Sequence, residues 1–62
     1  MDWDLHDRVW DWVDSVAVDP SGRLYPTKLR KKFFRLAYTA CRAGRYSDIS
    51  EIDLTVLLAE SA

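Results

Sequence analysis

Between Trp3 and Val18, Leu5, Val9, Trp12, Val13 and Val16 fall together on a wheel of about 100° per residue, with Trp3, Trp10 and Ala17 widening the arc to about half the cylinder. That spacing constrains the fold more than any other feature, because it describes one face of an α-helix turned towards a core. Asp2 serves as its N-cap, and Asp4 lies in the first turn, where the helix dipole favours an acid. Asp19-Pro20 stops the helix, since proline disfavours α geometry in the residue before it, and a helix is predicted over 3–18. Asp19-Pro20-Ser21-Gly22 has the residue preferences of a type I turn.

After the connector Arg23-Leu24-Tyr25, Pro26 suits a first helical position and Thr27 is an alternative cap. A second helix is therefore predicted over 27–43, with Gly44 as its stop. Its apolar arc is Leu29, Phe33, Leu36, Ala37, Ala40 and Cys41, centred on Phe33 and Leu36 with Phe34 at the border; Ala40 and Ala43 permit close helix packing. A third helix is predicted over 51–60, with Ser50 as cap, Ile49 and Leu54 as a hydrophobic staple and Asp53 at the capping-box position. It is apolar on two sides: Ile52, Val56 and Ala59 form one strip, and Leu54, Leu57 and Leu58 another. A helix of that kind is either central or shared with a second chain.

The expected architecture is all-α: a compact three-helix domain filling residues 1–62, and dimeric. A chain of 62 residues holds one core and has no room for a cofactor domain. Domains this short bury only about 60 % of the surface that the unfolded chain exposes, and commonly need a disulfide, a metal or a second subunit. Cys41 is the single cysteine, so an intrachain disulfide is excluded, and no Cys/His cluster has metal-ligand spacing. A partner or a second copy is the support that remains. No apolar run approaches the roughly 20 residues that span a bilayer. The opening Met1-Asp2-Trp3-Asp4 is acidic rather than basic, so the expected location is the cytoplasm and no membrane partner is expected.

A net charge of −1 conceals three blocks. Asp2, Asp4, Asp7, Asp11, Asp14 and Asp19 stand against Arg8 alone in residues 1–22. Residues 23–46 carry Arg23, Lys28, Arg30, Lys31, Lys32, Arg35, Arg42 and Arg45 without an acid, and residues 47–62 carry Asp48, Glu51, Asp53 and Glu60 without a base. On the first helix Asp4, Asp7, Asp11 and Asp14 line the edge opposite the core at a 3-4-3 spacing, where like-charge neighbours cost a few tenths of a kcal/mol per pair. The second helix mirrors this with Lys28, Lys31, Arg35, Arg42 and Arg45, with Tyr38 filling a gap and Lys32 flanking. Because both helices turn their apolar faces inward, the two stripes are expected to point outward and away from each other. Each stripe is then either a solvated face or a docking strip: the acidic one for a basic surface, the basic one for acids or a phosphate backbone.

Sequence-specific reading of DNA is disfavoured, because the helix after the last turn carries Glu51, Asp53 and Glu60 and no base. His6 lies at the edge of the first apolar arc and reads as a partly buried structural histidine; Cys41 reads as a small core hydrophobe. A His6–Cys41 pair would have no second histidine and no Gly-rich oxyanion loop, so neither enzymatic activity nor a metal or other cofactor is expected. Trp10 and Trp12 lie about 160° apart, so at least one should be partly exposed, either sealing the rim of the core or anchoring an interface.

These features describe recognition. The leading expectation is a small non-enzymatic regulatory or inhibitor protein that binds another protein, of the kind carried by phages and mobile elements. It pairs with a second copy through the apolar residues Trp10, Trp12, Leu54, Leu57 and Leu58. The alternative is a nucleic-acid-associated protein that lays the basic face of its second helix on a phosphate backbone. A minor subunit of a larger assembly is a third reading.

Overall fold

In the computed structural model, which describes residues 2–61, the chain forms helices α1 (Trp3–Val16), α2 (Thr27–Arg42) and α3 (Leu54–Ser61), with a 3-10 turn at Ile49–Glu51 before the last. Asp2 caps α1 as expected, its carboxylate accepting the Leu5 amide at 3.1 Å. The helix ends two residues earlier than its apolar spacing predicts. Ala17 leaves helical geometry at φ −87° and ψ 57°, and Val18 pairs instead with Leu24 in an isolated antiparallel bridge. Asp19 is the cause: its carboxylate accepts the Ser21 hydroxyl at 2.6 Å, the Ser21 amide at 2.9 Å and the Arg23 amide at 3.0 Å. The Gly22 amide closes the predicted turn on the Asp19 carbonyl at 2.9 Å, with Gly22 at φ 87°.

Pro26 is the N-cap of α2 rather than its first helical residue, and no side chain among the described residues caps that end. The other end closes as a Schellman motif, in which the Arg45 amide donates to the Ala40 carbonyl and the Gly44 amide to that of Cys41, both at 3.1 Å. Gly44 sits at φ 78°, and a Cβ there would meet nothing within 4 Å. Gly44→Ala therefore isolates the conformational cost of a left-handed backbone, about 1 kcal/mol, and should lower the melting temperature by roughly 4–8 °C. Thermal melts followed by circular dichroism check this; an unchanged midpoint would contradict the motif.

The third segment departs most from expectation. Asp48, not Ser50, nucleates it: its carboxylate accepts the Ser50 amide while the Glu51 carboxylate reaches back to the Asp48 amide at 3.3 Å, a capping box around the 3-10 turn. Ile52 is extended, and Asp53 then caps α3 itself, accepting the amides of Thr55 at 3.0 Å and Val56 at 3.3 Å. Two consecutive Asp caps divide what the spacing reads as one helix, and α3 keeps eight residues.

The core is small. Val9, Val13 and Ala17 meet Phe33, Ala37 and Ala40, and Ile52 and Leu57 close it from the third segment. Leu36 is half-buried rather than central, while Trp3 and Val16 from the predicted first arc are exposed. The strip of Leu54, Leu57 and Leu58 faces this core, with Leu57 buried and the other two packed beside it; of the other predicted strip Ile52 is buried ahead of α3, while Val56 and Ala59 are exposed. A column of rings seals the α1–α2 seam: Trp10 stacks on Phe34 at 4.6 Å, and Tyr38 follows at 5.5 Å. His6 meets Phe34 edge-on at 5.2 Å and so is a structural residue, with Trp3 5.1 Å beyond it.

Hydrogen bonds hold four carboxyls below their ordinary range: Asp19 through Ser21, Asp48 through Ser50, Glu51 through Ser47 and Glu60 through Arg45. The unfolded chain therefore binds protons before the folded one does, and stability falls as pH drops through the carboxylate range. The melting temperature should decline below about pH 5 and be lower at pH 3 than at pH 7. A constant value down to pH 3 would show that these caps contribute nothing.

Candidate functional site

Helix α3 begins only at Leu54, and it lies beside the C-terminal half of α2, where Leu57, Glu60 and Ser61 share a groove of about 350 Å³ with Leu36, Thr39, Ala40 and Ala43. The N-terminal half of α2 projects past it. There Pro26, Lys28, Leu29, Lys31, Lys32 and Arg35 line a broad open groove of about 690 Å³. Leu29, predicted for the core, packs against it half-buried, and with Pro26 it is the apolar part of the groove lining. Arg35 borders both grooves, so they run on from one another along α2.

Among the described residues, no acid lies within ion-pair distance of Lys28, Lys31, Lys32 or Arg35. These are neighbours at the i, i+3 and i, i+4 spacings, where like charges repel. Lys28 also occupies the first turn of a helix without an acid there, where the dipole disfavours a cation. The cluster thus opposes the helix that carries it.

The other predicted members of the basic stripe are placed differently. Arg42 is exposed and lies outside the groove lining. Arg45 lies beyond the end of α2 and bonds Glu60 at 2.7 Å, with its guanidinium 5.7 Å from the Tyr46 ring centre. Tyr38 leaves the stripe for the aromatic seam, and its hydroxyl accepts the Asp2 amide at 3.2 Å. A helical wheel gives Tyr38 an angle between the stripe and the apolar arc; the neighbouring Phe34 and Trp10 decide which side it joins.

The acidic stripe is exposed along α1, and parts of it are offset locally. Asp14 bonds Arg30 at 3.2 Å, Asp4 lies 4.0 Å from Arg8, and Asp7 accepts from or pairs with His6 Nδ1 at 3.0 Å. Asp11 has no ion-pair partner among the described residues. Among the described residues no ion pair joins the two stripes, and Arg30, which belongs to neither, links α2 to α1 through Asp14. Its guanidinium donates to the Tyr25 carbonyl at 3.0 Å, to the Thr27 hydroxyl at 3.1 Å and to Asp14 at 3.2 Å. Sequence reasoning missed this role, although Arg30 stands apart from the stripe on the wheel, beside Phe34 and Ala37. Arg8 similarly ties α1 to Asp48 at 3.1 Å.

Of the apolar contacts predicted for an interface, Leu57 is 3 % exposed and belongs to the core, which withdraws it from any partner. Trp10, Trp12, Leu54 and Leu58 are half-buried against the same core. The tryptophan that is open is Trp3, at 65 % exposed. Cys41 packs against the core, and burial raises its thiol pKa, so it remains a protonated small hydrophobe. No helix among the described residues is long and apolar enough to cross a membrane. Comparison with family models, with curated proteins and with solved structures finds no match to this chain.

Proposed function

We propose that this protein is a non-enzymatic regulatory or inhibitory module that binds another protein, taking an acidic, apolar-faced segment of its partner in the groove of α2. The observation that carries this reading is a groove lined by four cations without acid partners among the described residues, with Pro26 and Leu29 as its apolar part. Long-chain cations rimming an apolar strip match an amphipathic segment whose carboxylates flank its own apolar face. The continuation past Arg35 towards Leu36 and Ala43 supports an occupant several turns long with apolar side chains. An assembly role as a minor subunit would use the same surface.

A second reading, a nucleic-acid-associated protein, is favoured by the lack of any acid in the groove lining. Phosphates need the cations but not the apolar part, and salt separates the two. Fluorescence anisotropy with a labelled acidic amphipathic peptide and with a labelled oligonucleotide, at about 50 and about 200 mM salt, is the test. Release of four phosphates' counterions would weaken binding roughly 50–150-fold over that range, whereas an interface with an apolar part should lose less than about tenfold. Preferential binding of the peptide, with the shallow salt dependence, supports protein recognition. Tighter, steeply salt-dependent binding of the oligonucleotide overturns it in favour of the second reading.

A further inference from the structure

The acidic amphipathic partner that the groove suits has a counterpart within the chain, the outer face of α1. Asp4 and Asp7 expose 86 % and 79 % of their side chains, and Asp11 between α1's ends is exposed as well. Asp4, Asp7 and Asp11 repeat at a 3-4 spacing, and so do Lys28, Lys31 and Arg35. Each set covers seven residue steps, about 10.5 Å of helix, so the two rows match in length and step. Trp3 is one turn from Asp7 along the same edge and is 65 % exposed. It supplies an apolar side chain for Pro26 and for the exposed part of Leu29, and lysine stems suit an indole face.

We infer that α1 of one copy docks in the α2 groove of the next, its aspartates on the cations and Trp3 on Pro26 and Leu29. This rests on reading the groove as a protein-binding site, and it names a second copy as an occupant. The two rows are exposed on α1 and α2, and among the described residues no ion pair joins them within one molecule. The contact is head to tail, and each added copy leaves one row free at each end, which gives open-ended growth rather than a closed dimer. Exposed charge pairs are individually weak, so association sets in between tens of micromolar and about 1 mM and recedes as salt screens it. An external acidic partner competes with this self-association for the same cations.

Sedimentation velocity on three proteins tests it: the native chain, an acid variant (Asp7→Asn, Asp11→Asn) and a base variant (Lys31→Gln, Arg35→Gln), all at about 50 mM salt. The native chain should pass beyond a dimer as its concentration rises, and should return to monomer at about 500 mM salt. Each variant alone should stay monomeric. An equimolar mixture should form a complex that stops at two chains, because one variant keeps an intact groove and the other an intact acidic row. In the native chain, Trp3→Ser should weaken assembly at least several-fold while leaving helicity unchanged. A native chain that stays monomeric to about 1 mM, a variant that assembles alone, or a mixture that does not pair would each overturn the inference. Binding of a foreign acidic peptide by such a monomer would leave the protein-binding reading standing; failure of the peptide as well would remove both.

Discussion

Phe33→Ala is expected to leave the protein largely unfolded at room temperature. Phe33 is 3 % exposed, stands where α2 meets α1, and has Tyr25 edge-on at 6.1 Å. Three of the eight buried core residues are alanines, at 17, 37 and 40, so the neighbours have no long side chains to relax into the space. Truncating a buried phenylalanine costs about 3–5 kcal/mol. A domain of 62 residues has a total stability of roughly 3–9 kcal/mol. Urea unfolding followed at 222 nm should show little or no folded baseline for Phe33→Ala, while Phe33→Leu, which keeps most of the volume, should lose less than about 1.5 kcal/mol. A loss below about 1 kcal/mol for the alanine variant would mean that Phe33 does not hold α1 to α2.

Helix α2 was fully legible because its signals agree: an apolar arc, a proline at its start and Gly44 at its end describe one segment, and the observed Thr27–Arg42 matches it closely. Elsewhere, local hydrogen bonding overrode periodicity. Val16 and Ala17 continue the apolar spacing of α1, but the Asp19 carboxylate gathers three donors from the next four residues and bends the chain back. Asp48-Ile49-Ser50-Glu51 is a capping-box pattern two residues ahead of the Ser50 start, so that signal was present in the sequence but was outweighed by the hydrophobic staple. The groove was half legible. The stripe of cations follows from spacing alone, whereas Leu29 in the groove lining depends on how far α3 reaches, and a helical wheel carries no information about the length of a neighbouring helix. The same limit hid the sorting of Tyr38 and Arg45 away from the stripe, since each is decided by a partner distant in sequence.

Neutralising Lys28, Lys31, Lys32 and Arg35 together to glutamine should weaken partner binding without harming the fold. None of the four ion-pairs with an acid among the described residues, and each pair of cations removed relieves a few tenths of a kcal/mol of repulsion along α2. The loss of a cation from the first turn relieves the helix dipole as well. Stability should therefore hold or rise slightly, as it does where residues kept for function oppose the fold. Binding should move the other way. Contacts worth about 0.5 kcal/mol each sum to roughly 2 kcal/mol, about a 30-fold loss in affinity, expressed mainly as slower association and shrinking at high salt.

The central claim is that these cations serve a protein partner and not the fold, and it predicts opposite signs for two quantities in one variant. The direct measurement is the affinity of the quadruple variant and of the native chain for an acidic amphipathic peptide at about 50 mM salt, with the urea midpoint determined on the same samples. A fall in affinity of about 30-fold with an unchanged or higher midpoint is the predicted result. Equal affinities, or a midpoint that drops with the charges removed, would contradict it.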